Sequence, residues 1–161
     1  MSDAITPTVV QDRIREGLLR KAGLTAAQIE DALRTERETG QQLDQVLVGK
    51  NMLPEAKCLQ FFGDLLGLEF RPSLEGVGVP GVFIHQIPVQ FARTHGLIAV
   101  EDTGTVLRVA THRPLEVQPM DDLATLLGRE IEAVLAPRGE VANLINRAYR
   151  HKADGVDEAL Q

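Results

Sequence analysis

Tryptophan is absent from this 161-residue chain, and aromatic residues amount to five phenylalanines and one tyrosine. A packed core must therefore be mainly aliphatic, and a hydrophobic fraction of 43% suffices for one. Cysteine occurs once, at Cys58, so no internal disulfide can form, which fits a reducing compartment. No apolar run approaches the roughly 18 residues of a membrane span, and direct membrane insertion is not expected. The opening "MSDAITPTVVQ" lacks a basic segment followed by an apolar run, so no signal peptide is expected. Positive charge is in deficit, with 17 Lys and Arg against 23 Asp and Glu and a net charge of -6. That balance argues against broad binding of nucleic acid or an anionic membrane surface. No G-x-x-x-x-G-K-S/T loop occurs, so this chain alone is not expected to hydrolyse a nucleotide. The totals describe a soluble cytoplasmic protein of one ordinary domain or two small ones.

The first half is patterned for helices. "VVQDRIREGLLRKAG" puts Val10, Ile14, Leu18 and Leu19 on one helical face and stops at Gly23. Thr25 with Gln28 three residues later forms a capping box for a second helix. Ile29 and Leu33 are its buried stripe, and Gly40 closes it. A third helix uses Leu43, Val46 and Leu47 and ends at Lys50-Asn51. Pro54 opens a fourth, whose buried face is read as Cys58, Leu59, Phe62 and Leu66. A shift of 29 residues lays Ile14 on Leu43, Leu18 on Leu47, Leu19 on Val48, Leu24 on Leu53, Ile29 on Cys58 and Leu33 on Phe62. The pattern describes two copies of one helix pair.

The second half changes character. "RPSLEGVGVPG", residues 71–81, reads as a connector. Pro88 starts a short helix, "LIAVED" and "TVLRVATH" are strands joined at Asp102-Thr103-Gly104, and "QPMDDLATLLG" is a helix stopped by Gly128. "EIEAVLA" is a third strand and "RGEVANLINRAYRH" a last helix, with Val141, Leu144, Ile145 and Ala148 on one face. The expected fold class is α+β. Tandem helix pairs over residues 1–70 precede a connector with a short helix (71–87), then a small α/β subdomain with a three-stranded sheet (88–150) and a tail or linker (151–161).

Several features resemble chemistry without meeting its requirements. "GVGVPG", Gly76 to Gly81, matches G-x-G-x-x-G, but "RPSLE" before it is no strand and Pro80 removes an N–H that a pyrophosphate would need. His85, His95, His112 and His151 have no ligand-like spacing, so no metal site is expected. Cys58 falls on an apolar stripe and behaves as a small hydrophobe. Asp121 and Asp122 sit near a helix start, where negative charge meets the positive end of the dipole. Nothing assembles nucleophile, base and oxyanion donors, and no catalytic residue or cofactor is expected.

The segments "GLTAAQIEDALRTERETGQQLDQVLV", "LLGLEF", "IPVQFARTHGLIAV", "VATHRPLEVQPMDDLATLLG" and "IEAVLAPRGEVANLINRAY" together resemble the N-terminal domain of type II secretion ATPases, general secretory pathway protein E. Related domains precede type IV pilus assembly ATPases. The resemblance covers roughly residues 10–150, and it turns "PGVFIHQ" into another short helix. It implies a non-catalytic adaptor that tethers the motor to the cytoplasmic part of an inner-membrane platform protein. Hydrolysis would belong to a following ATPase domain, joined beyond the polar end of the chain. The location implied is cytoplasmic, peripheral to the inner membrane through the partner.

One branch of that family binds cyclic di-GMP through two tandem motifs of Arg-Leu-Gly, apolar residues and a closing Gln. Arg can hold a phosphate or guanine edge bidentately, Gly lets backbone approach a base, and Gln can hydrogen-bond a ligand edge. In the first copy Arg13 keeps the Arg position, but Arg15 replaces Gly and Glu36 replaces Gln. In the second, Gln42 replaces Arg, Asp44 replaces Gly and Leu65 replaces Gln. The apolar frame is kept and five of the six motif positions compared depart from the pattern. The expectation is a retained scaffold and a lost nucleotide site, with a cyclic di-GMP-binding regulatory domain as the alternative.

Overall fold

The computed structural model describes the backbone of residues 7–160 and the side chains of residues 11–150. The chain divides into two compact units, Met1–Gly67 and Leu68–Gln161.

The first unit holds α1 (Pro7–Arg20), α2 (Ala26–Thr39), α3 (Leu43–Gly49) and α4 (Glu55–Leu66). The repeat read from the sequence is physical. Leu18 and Leu47 are both fully buried, as are Ile29 and Cys58, and Leu24 and Leu53 are buried alike. The backbone repeats too. Leu24 N–H donates to the Leu18 carbonyl at 3.0 Å, and Leu53 N–H donates to the Leu47 carbonyl at 3.3 Å. Each bond turns the chain back over the C-terminus of the first helix of a pair. The left-handed residue sits differently in the two copies, Gly23 (φ 73°) directly before Leu24 and Asn51 (φ 58°) two before Leu53, where Met52 N–H also donates to the Leu47 carbonyl at 2.9 Å. The second helix of each pair starts alike, from Thr25 and from Pro54. Thr25 forms the full capping box, accepting from Gln28 N–H at 3.1 Å while its own N–H donates to Gln28 Oε1 at 2.9 Å.

Two assignments of buried face are corrected. Leu19 is 44% exposed and Leu66 is 41% exposed. Helical period alone leaves a face uncertain by about one residue, and here packing chooses the neighbour. Phe61, not Leu66, completes the α4 face, because its ring lies against the backbone of α1 at Gly17, where a Cβ would meet Phe61 Cε1 at 2.7 Å. The side chain of Val10, assigned to the α1 stripe, lies outside the described residues.

The second unit contains α5 (Gly81–Gln86), α6 (Val89–His95), β1 (Leu97–Asp102), β2 (Val106–Thr111), α7 (Gln118–Leu127), β3 (Glu130–Leu135) and α8 (Arg138–Leu160). β1 and β2 form an antiparallel hairpin in which Asp102 Oδ1 accepts from Gly104 N–H at 2.8 Å and Gly104 takes φ 96°. α7 then carries the chain across so that β3 runs parallel to β2, giving the order β1-β2-β3. Residues 69–71 pair with the far edge of β3 through Leu135 N–H to Glu69 C=O (2.8 Å) and Arg71 N–H to Leu135 C=O (2.7 Å). The core joins Phe83 and Ile87 to β1, β2 and the Val141, Leu144, Ile145 and Ala148 stripe of α8. On the polar face of the sheet Arg108 stands directly between Glu101 and Glu132 in register. It donates to Glu69 (2.6 Å), Glu132 (2.8 Å) and Glu101 (3.3 Å).

α8 runs on to Leu160 through the stretch read as a tail. Between His151 and Leu160 there is no Pro and one Gly, Gly155, whose helical cost is only about 1 kcal/mol. The helix former Ala and the straight-chain Lys and Glu favour continuation. Side chains from residue 151 onward, including His151, lie outside the described residues. No described helix is long and apolar enough to cross a membrane.

Candidate functional site

The first unit has one region where the motif positions, a groove and charge coincide. α1 and α4 leave a recess of about 270 Å3 lined by Arg13, Glu16, Gly17, Arg20, Phe61 and Leu65, among others. A second recess of about 230 Å3, reaching Lys57 and Leu53, shares Lys21, Phe61 and Asp64 with it. Gly17 makes the groove possible, because the absent side chain lets the Phe61 ring form its floor. The walls carry four cations, Arg13, Arg20, Lys21 and Lys57, against Glu16 and Asp64. The arrangement can receive a planar or anionic group over an aromatic floor.

Of the six motif positions, the groove brings together Arg13 and Leu65. Arg15 is exposed on α1 and forms an ion pair with Glu30 of α2. Glu36 is half-buried on α2, and Gln42 is the exposed N-cap of α3. Asp44 is buried in the first turn of α3, where Oδ2 accepts from Gln45 Nε2 at 3.1 Å. Cys58 Sγ lies 3.8 Å from the Asp44 carbonyl. Burial pushes the Cys58 thiol up to about 12, and the Asp44 and Glu55 carboxylates add to the effect. Such a thiol is un-ionised at neutral pH and is a poor nucleophile. Sequence reasoning missed Gly17, Arg20, Lys21, Lys57 and Phe61. Gly17 and Phe61 lie on different helices, α1 and α4, so no local spacing links them. The lysines carry no local signal.

In the second unit, residues 71–80 contain no strand, and α5 starts only at Gly81. The Gly76 to Gly81 run therefore lacks the strand that a dinucleotide loop follows. Asp122 Oδ1 accepts from Gln118 Nε2 at 3.0 Å in the first turn of α7, and Asp121 is exposed beside it. His85 is exposed on α5, and His95 Nδ1 lies 3.8 Å from Glu116. His112 is half-buried, and burial with the charges of Arg113 and Arg138 holds its imidazole down to about 4. No group of three or more potential metal ligands exists among the described residues.

A family profile described as the MshEN domain matches residues 66–155. Among curated proteins the chain is 26% identical over 148 residues to the type IV pilus assembly ATPase PilB of Myxococcus xanthus, covering 92% of this chain. It is 28% identical over 127 residues to the type IV pilus assembly ATPase PilB of Thermus thermophilus, covering 78% of this chain. These alignments span 26% and 14% of the two ATPases, so the chain covers about a quarter or less of their length. Among solved structures, that of MshE with cdg superposes with a TM-score of 0.68 at 25% identity, over 84% of this chain and 97% of that one. The N-terminal domain of XpsE superposes with a TM-score of 0.69 over 92% of this chain and 99% of that one. At 22% identity, this last likeness establishes the α+β fold.

Proposed function

The chain belongs to the MshEN domain family, and on that premise we propose that it is a non-catalytic adaptor of a secretion or pilus ATPase. It docks the motor to the cytoplasmic part of an inner-membrane platform protein, and ATP hydrolysis resides in another domain of the parent protein. The observation that carries this reading is the pair of pilus-ATPase alignments. They run through most of this chain and a minor part of each motor, which is what an accessory module produces. The whole assembly works in the cytoplasm, held at the membrane by its partner.

A cyclic di-GMP-binding regulator is the second reading. The likeness to MshE with cdg and the cationic groove between α1 and α4 favour it. The motif positions weigh against it. Of those positions, Arg13 alone places a ligand-holding side chain in the groove, Leu65 offers no hydrogen bond, and Arg15 is engaged by Glu30. Each lost bond worth about 1.4 kcal/mol weakens binding tenfold, so two such losses take a micromolar ligand to about 100 μM.

Calorimetry with both candidates separates the readings. The expected result is micromolar binding of a soluble cytoplasmic platform fragment and weak or absent binding of cyclic di-GMP. Micromolar cyclic di-GMP binding without platform binding would replace the first reading by the second.

A further inference from the structure

α6 and α8 enclose a groove that neither reading uses. Two open recesses of about 230 and 330 Å3 adjoin along it and share Arg93 and Asn146. Arg113 and Arg138 line the first with an apolar floor that includes Val141 and Ile145. Arg150 and the half-buried Tyr149 line the second. No Asp or Glu is among the described residues lining either recess, in a chain that carries six more acidic than basic residues. Elsewhere in this unit arginines face carboxylates, as Arg108 faces Glu101 and Glu132, and Arg129 faces Asp102. Arg93 instead donates to the neutral Asn146 Oδ1 at 3.2 Å. Glu116, outside the lining, accepts from Arg113 at 3.1 Å.

We propose that the groove between α6 and α8 is a docking surface for an acidic segment of a partner protein. Four arginines along one groove, of which Arg113 already shares its fork with Glu116, suit carboxylates, which guanidinium binds bidentately. His112 lines the first recess, where burial first and then the charges of Arg113 and Arg138 hold its imidazole low. The shape selects a chain segment over a small molecule. Each recess is open to solvent, and at about 230 and 330 Å3 they fall below and at the lower limit of the roughly 300–1,000 Å3 of sites that enclose a ligand. From Arg138 to Arg150 the helix spans about 18 Å, the length of five or six extended residues. The half-buried Tyr149 supplies apolar contact for an anchored segment beside its charges, while Val141 and Ile145 belong to the core beneath the groove. The inference rests on the reading of the chain as a docking module and adds the chemistry of what docks.

The test uses the full 15N-labelled chain titrated with a synthetic octaglutamate peptide in low salt. Amide shifts should concentrate at Gly96, Ala142, Ile145 and Asn146. The paired variant Arg93→Glu with Arg138→Glu should weaken binding at least tenfold while its free spectrum stays dispersed. Unlocalised or absent shifts, or equal binding by the variant, would overturn the proposal. Shifts produced by inorganic phosphate and not by the peptide would overturn it too, as a small-anion site. The platform fragment separates the two levels. If the fragment binds both proteins equally, the groove proposal fails and the docking module stands. If the peptide occupies the groove and no fragment binds, the groove stands and the platform reading fails.

Discussion

A Cβ placed on residue 96 would lie 2.4 Å from His112 Nε2, so Gly96 and His112 can share their space only while residue 96 has no side chain. Gly96 also takes φ 64° as the C-cap of α6. Two constraints therefore meet at one position, a left-handed backbone and a ring packed against it.

Gly96→Ala is expected to destabilise the second unit by about 2 to 4 kcal/mol, combining about 1 to 2 for the left-handed backbone with an overpacking cost of similar size. Urea unfolding of the full chain measures it. An unchanged midpoint would mean that His112 moves aside without loss.

His112 should remain neutral at pH 6. Its folded value of about 4 lies below the ordinary 6.5. Between those values the unfolded chain binds a proton that the folded chain does not, so stability falls as pH drops from 6.5 towards 4. An NMR titration of the ring resonances should find the midpoint near 4. A midpoint above 6 would contradict the burial of this ring.

Phe62 is fully buried and Cys58 nearly so. Phe62→Ala should cost about 3 to 5 kcal/mol. Native-state labelling of Cys58 by a thiol reagent should be slow, because the thiol is both shielded and held near 12. Rapid labelling under native conditions would show that α4 opens or that its buried face is misassigned.

Arg108→Met should lower stability by about 1 kcal/mol, the upper end for a partly exposed ion pair, since it leaves Glu69, Glu101 and Glu132 facing each other. Glu69 should report the change. Hydrogen bonds from Arg71 and Arg108 hold its carboxyl below the ordinary 4.5, which stabilises the fold above that value and is lost as pH falls. In the variant its titration should move up towards 4.5, and no movement would remove Arg108 from the cause.

Much of the architecture was legible because it depends on neighbours along the chain. A capping box is a three-residue relationship, so Thr25 and Gln28 announce it without tertiary help. The burial stripes at Leu18 and Leu47 follow from a period of 3.6, and the strands at residues 97–102 and 106–111 from short apolar runs joined by the Asp102-Thr103-Gly104 turn. The identities at Arg13, Arg15, Glu36, Gln42, Asp44 and Leu65 were likewise visible, as were their departures from the motif.

What tertiary structure decided is which of those residues meet. Period places Leu19 and Leu66 beside a buried face, but the contact of Phe61 with Gly17 determines how the face turns and leaves both leucines exposed. Arg13 and Leu65 are 52 positions apart (65 less 13) and line one recess, while Arg15, two residues from Arg13, faces Glu30 instead. Arg93, Arg113 and Arg138 show no common pattern in sequence and line one recess because the antiparallel hairpin and the parallel crossover return α8 to the side of α6. Local preferences act over a few residues, whereas a site is defined by distances that only chain reversal and close packing can set.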